Sequence, residues 1–210
     1  MQKLFLMILP CCPARTSHLV PKKPYFCRMK IILGIDPGTT VLGFALLNAD
    51  SSQGMLLDIG TFRLNKIKEH ADKLQAIFEK ALQLIELHQP QTLAIEAPFY
   101  GKNPQSMLKL GRAQGVVIAA AMYKGLEVFE YSPRKIKQSI TGNGNASKEQ
   151  VAAMLKNMNL ITENKYPLDA TDALAVAVCH HLQNKITTVG QKFSGWEAFL
   201  TKNQDRIIIS

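Results

Sequence analysis

The chain has 210 residues, 47% of them hydrophobic and 20% charged, with a formal net charge of +9. That is enough chain for one compact domain with a sizeable core, and its composition is globular rather than disordered. No apolar run approaches the ~20 residues a bilayer-spanning helix needs, which excludes an integral membrane protein of that kind.

The charge and the cysteines are unevenly spread. Residues 1–28 carry Lys3, Arg15, Lys22, Lys23 and Arg28 and no acid, so the rest of the chain holds 20 cations against 16 acids. A mildly basic body permits a nucleic-acid partner without demanding one. Cys11, Cys12 and Cys27 precede Met29, and only Cys179 follows it. With no CxxC pair and no His/Cys cluster at zinc spacing, a disulfide framework or structural zinc is not expected, and a reducing, cytoplasmic compartment fits. The apolar run Leu4–Pro10 is a weak signal-peptide pattern without a convincing cleavage site. The expectation is that residues 1–28 are an extension outside the working fold, which begins at Met29.

From there the elements follow in order. Lys30–Asp36 is an apolar run closed by Asp-Pro-Gly, a buried strand and a turn. Val41–Ala49 and Met55–Leu64 read as two more strands, giving an antiparallel meander. In Ala71–Leu87 the residues Leu74, Ile77, Phe78, Ala81, Leu84 and Ile85 keep a helical period, stopped by Gln89-Pro90. Thr92–Glu96 is a short buried strand, Pro104–Tyr123 a helix and Leu126–Tyr131 a fifth strand. Pro133–Ile140 reads as a short basic helix. Ser147–Asn157 is a helix with Ser147 as N-cap and Gln150 three residues on. Leu168–Leu182 is an alanine-rich helix, followed by a polar tail, residues 185–210, in which Trp196, Phe199 and Leu200 offer one docking turn. The order predicts an α/β protein, a mixed sheet with helices on its faces.

Four acids stand out. Asp36 and Glu96 each end a hydrophobic strand, where a carboxylate is costly to desolvate unless something pairs with it. A single such acid is readily explained as a strand end facing water. Asp169 and Asp172 lie at i and i+3 on one face of a helix, and the helix dipole alone accounts for many such pairs. That helix is otherwise apolar and small, however, so it is expected to pack on the sheet with both acids facing the strand ends. Four acids without a nearby thiol or zinc-spaced imidazole form a hard oxygen site suited to Mg²⁺ or Mn²⁺. Two such ions ~4 Å apart hold a phosphodiester and activate water.

Four segments carry a resemblance: Ile32–Gly38, Ala94–Glu96, Lys109–Gly115 and Asp169–Ala175. In that order and spacing they resemble the RuvC family of bacterial Holliday junction resolvases, over essentially all of residues 29–184. The resemblance implies an RNase H-like mixed five-stranded sheet flanked by helices. It also implies a homodimer that cuts four-way DNA junctions by paired nicks in recombination and repair, with a branch-migration helicase complex of the RuvA–RuvB type as partner. Asp36, Glu96, Asp169 and Asp172 match the family's metal-binding acids, Phe99 its junction aromatic, and Lys137 and Lys148 its lysines near the scissile phosphate.

The chemistry of the surface points the same way. Phe99, Tyr100 and Lys102 set two aromatics beside a cation next to Glu96, a base-stacking arrangement if the rings are not spent on the core. Arg134, Lys135 and Lys137 form a cluster suited to phosphates or to simple solvation. Gly142–Asn145 is a possible anion nest, with Lys148 on the following helix turn. Lys109 and Arg112 can also meet a DNA backbone. The small residues Gly111, Ala113, Gly115 and Ala119–Ala121 allow close helix packing, within the chain or between two copies. His180 and His181, about 12 Å along the helix from Asp172, read as helix C-terminal residues favoured by the dipole.

Two other classes stay open. Asp36–Thr40 also looks like the phosphate hairpin of actin-like and sugar-kinase ATP-binding proteins, though those need two such domains. A non-catalytic nucleic-acid-binding module of the same fold is the other, against which four intact acids argue.

Overall fold

The computed structural model describes residues 30–98, 103–161 and 166–189, with side chains through Asn184. The extension 1–28, the aromatic segment with Phe99, Tyr100 and Lys102, and the tail with Trp196, Phe199 and Leu200 lie outside the described residues.

Five strands form one sheet: β1 (Ile31–Asp36), β2 (Val41–Asn48), β3 (Met55–Arg63), β4 (Thr92–Glu96) and β5 (Glu127–Tyr131), in the order β3-β2-β1-β4-β5. The meander is antiparallel, while β4 and β5 join β1 in parallel, so the sheet is mixed as expected. The helices are α1 (His70–His88), α2 (Pro104–Tyr123), α3 (Pro133–Thr141), α4 (Lys148–Asn157) and α5 (Leu168–Val189).

Strand alternation sorts the core into two layers. Ile31, Leu33 and Ile35 of β1, with Leu93 and Ile95 of β4, face α1 and α2 through Ile77, Leu84, Ile85, Ala113 and Val117. Ile32 and Ala94, with Ala45 and Leu47 of β2, face α5 and the shorter α3 and α4. Because both faces are covered, β1 and β4 read as nearly continuous apolar runs rather than alternating ones.

Local chemistry fixes the ends. Gln89 takes the left-handed conformation, φ 51°, that closes α1. Asn103 caps α2, accepting from the Gln105 and Ser106 amides at 3.0 and 3.3 Å. Ser147 and Gln150 form the anticipated capping box on α4. α5 departs from expectation, running through Val189 instead of ending at Leu182. The polar run after Leu182 does not stop the helix, since no Gly or Pro occurs between Leu168 and Gly190. His180 and His181 are therefore not helix-terminal; they are 1% and 3% exposed in the helix body.

Candidate active site

The alternation that builds the core also aims the acids. Ile32 and Gly34 face α5, so Asp36, two residues on, faces it as well; Ala94 and Glu96 repeat this on β4. β1 and β4 are parallel with Ile35 opposite Ile95, which sets Asp36 and Glu96 side by side at the C-terminal rim of the sheet.

Two glycines bring α5 down onto that rim. A Cβ on Gly34 would lie 2.3 Å from the Ala173 carbonyl oxygen, and one on Gly43 would lie 1.9 Å from that of Asp169. Gly43 is the β2 partner of Asp36, so the first turn of α5 sits directly over the Asp36 position. Ala170, Ala173 and Ala177, all fully buried, complete the small-on-small contact. This close approach is what delivers Asp169 and Asp172. It was legible only as an unexplained Gly in each of two apolar strands.

A cavity of about 110 Å³ opens among Asp36, Glu96, Asp172, Lys137 and Lys148, with Pro133, Ile136, Val151 and Ala175 as its apolar wall. At ~30 Å³ per water this holds three or four waters, or a partly hydrated ion. Asp169 does not line it, but its charge still reaches Asp36. Burial, then repulsion by Glu96 and Asp172, pushes the Asp36 carboxyl up to about 8, a rise that Lys148 opposes. Glu96 is likewise raised, by burial and then by Asp172, against Lys148 and Lys137. The acids are thus short of positive charge.

Lys148 supplies part of it. Its ammonium donates to Asp172 Oδ2 in an ion pair. Burial would lower the lysine's pKa, yet the hydrogen bond to Asp172 and the charges of Asp172, Asp36 and Asp169 leave it raised. Among the described residues no three acidic, His or Cys side chains are grouped closely enough to share an ion as they stand. The donor set is nevertheless all oxygen and deficient in charge, and it surrounds a cavity with room for a partly hydrated ion, so the residues fit a hard divalent ion.

Of the other expected DNA contacts, Lys109 and Arg112 are exposed on α2, and Arg134 and Lys135 are exposed on α3; none lines the cavity. The Arg134 stem packs over Gly144 in the loop before α4.

A part-buried polar cluster that the sequence does not reveal joins β5 to α5. Tyr131 Oη lies 2.8 Å from His180 Nδ1, and Asn184 Nδ2 lies 2.8 Å from His180 Nε2. Burial, then Lys30 and His181, lowers the His180 pKa to about 4, so the ring is neutral. Two ring nitrogens partnered inside the fold replace the dipole role expected of this residue. Cys179 is a buried thiol, its pKa pushed up by burial. Among the described residues no helix is long and apolar enough to cross a membrane.

A five-stranded mixed sheet in this order, with acids on its two central parallel-paired strands and on the helix crossing them, defines an RNase H-like nuclease. The family described as "Crossover junction endodeoxyribonuclease RuvC" matches residues 32–180. A protein of that name from Cytophaga hutchinsonii is 53% identical over 178 residues, 85% of this chain and 88% of the relative. Another, from Christiangramia forsetii, is 50% identical over 178 residues, 85% and 93% of the two chains. Among solved structures, T. thermophilus RuvC in complex with Holliday junction substrate superposes with a TM-score of 0.71 at 29% identity, covering 76% of this chain and 97% of that one. The chain belongs to the RuvC family of crossover junction endodeoxyribonucleases, enzymes that hydrolyse phosphodiester bonds. The actin-like and non-catalytic alternatives are not favoured.

Proposed function

We propose that Asp36, Glu96, Asp169 and Asp172 hold two Mg²⁺ or Mn²⁺ ions with which the chain nicks four-way DNA junctions in symmetric pairs. The observation that carries this reading is the convergence of Asp36, Glu96 and Asp172 on one charge-deficient cavity at the sheet rim. A bound divalent pair would supply activation of water and stabilisation of the leaving 3′ oxygen. The carboxylates position the ions and need not act as acid or base. Lys148 and Lys137, at the cavity, orient the scissile phosphate by charge. Water attacks phosphorus in line and the P–O3′ bond breaks, leaving a 5′-phosphate and a 3′-hydroxyl.

Paired nicks need two sites, and α2 supports a homodimer. Leu108 and Met122 are each 65% exposed on it. Between them Gly111 and Gly115 have nothing within 4 Å of where a Cβ would stand. Glycine inside an exposed helix costs about 1 kcal/mol relative to Ala, a cost that close packing by the same helix of a second copy would offset. Phe99, Tyr100, Lys102, Lys109, Arg112, Arg134 and Lys135 complete the proposed DNA contacts, with a helicase complex of the RuvA–RuvB type as partner in the cytoplasm.

The test is Mg²⁺-dependent nicking of a synthetic four-way junction beside a linear duplex of the same sequence. Paired, ligatable nicks confined to the junction are expected. Asp36→Asn should bind the junction without cutting it, and cleavage by that variant at the normal rate would refute the site.

A further inference from the structure

Within that reading of the four acids, we infer that Lys148 is a charge placeholder, which holds Asp172 out of ion binding until DNA phosphate draws the lysine away. The ion pair is asymmetric. The Asp172 side chain is 15% exposed and fixed at the cavity, whereas Lys148 is 52% exposed at its mouth. The Lys148 backbone is held as the first residue of α4 by the capping box, in which the Ser147 amide donates to Gln150 Oε1 at 2.9 Å and the Gln150 amide to Ser147 Oγ at 3.3 Å. What remains free to move is a long, flexible stem carrying a point charge.

Two consequences follow from charge alone. With the ammonium on Asp172, the acids facing the cavity are partly neutralised, and an entering divalent ion must displace that ammonium. A phosphodiester at the mouth offers Lys148 an alternative anion on the solvent side. Once the ammonium moves there, Asp172 is returned to the cavity with its full charge and the site becomes a stronger cation binder. Ion uptake and junction binding are then coupled through one side chain, and such a coupling is reciprocal. Lys148 is in this respect a positioning residue as well as a phosphate contact.

The experiment is a titration of the DNA-free protein with Mn²⁺, followed by the paramagnetic resonance of free Mn²⁺. The proteins are wild type, Lys148→Met, Lys148→Gln, Lys156→Met and Asp36→Asn. Lys156 is exposed in the last turn of the same helix and gives the same change in net charge away from the cavity. Loss of one partly exposed ion pair should tighten Mn²⁺ binding about two- to fivefold in both Lys148 variants. Lys156→Met should bind as wild type does. Unchanged or weaker binding in the Lys148 variants overturns the inference, as does equal tightening in Lys156→Met. If instead Asp36→Asn binds Mn²⁺ as tightly as wild type, the proposed metal site itself is wrong, which is a separate result.

Discussion

Asp36→Asn should stabilise the metal-free protein while removing its activity. In the unfolded chain Asp36 ionises near the ordinary 3.8; in the fold, burial followed by the charges of Glu96 and Asp172 raises it to about 8. Between those values the unfolded state holds fewer protons than the folded one, so stability falls as pH rises through this window. At pH 7 the unfolded carboxyl has lost its proton over roughly three units while the folded one has kept it, a penalty of about 4 kcal/mol at 1.36 kcal/mol per unit. The amide does not titrate, so the stability difference between variant and wild type should grow by that amount from pH 4 to pH 7. His180 titrates in part of the same window but is common to both proteins and cancels in the difference. Urea denaturation in EDTA at several pH values measures it directly. In thermal unfolding it corresponds to roughly 10 °C for a domain of this size. Excess Mg²⁺ should raise the wild-type midpoint and leave the variant where it was. A difference that stays flat from pH 4 to pH 7 would refute the claim that the fold crowds Asp36 with uncompensated charge.

Three further outcomes can be checked. Gly43→Ala puts a methyl 1.9 Å from the Asp169 carbonyl oxygen, so α5 must lift from the sheet; a loss of about 3 kcal/mol or more in urea denaturation and loss of nicking are expected. Lys137→Met should lower the salt slope of junction binding by about one and weaken all junction sequences alike, as read by binding titrations across salt concentrations. Gly115→Leu should leave the monomer folded by circular dichroism, since a Cβ there meets nothing, but sedimentation should report loss of the dimer and nicking should become unpaired.

The parts of the fold written in local sequence were legible. Turn residues, the helical period of α1 and the Ser147–Gln150 cap located the elements to within a residue or two at most ends. α5 runs on past Leu182 because polar residues alone, without a Gly or Pro among them, are compatible with a continuing helix. The pairings Lys148–Asp172 and Tyr131–His180 were not legible at all, since they join residues 24 and 49 positions apart and depend on how elements dock. Between these extremes stands the convergence of the acids. β1 and β4 are apolar on both faces, so alternation in the sequence could not show which way Asp36 and Glu96 point. The size of the residues carries that information instead: Gly34, Gly43 and Ala94 mark the face that receives Ala170, Ala173 and Ala177. Small residues facing small residues bring α5 close, and the depth at which it sits decides whether Asp172 shares a cavity with Asp36. The same contacts therefore set the packing of the core and the geometry of the acids, so a substitution that adds bulk at Gly34 or Gly43 should damage activity and stability together, whereas one at Asp36 should separate them.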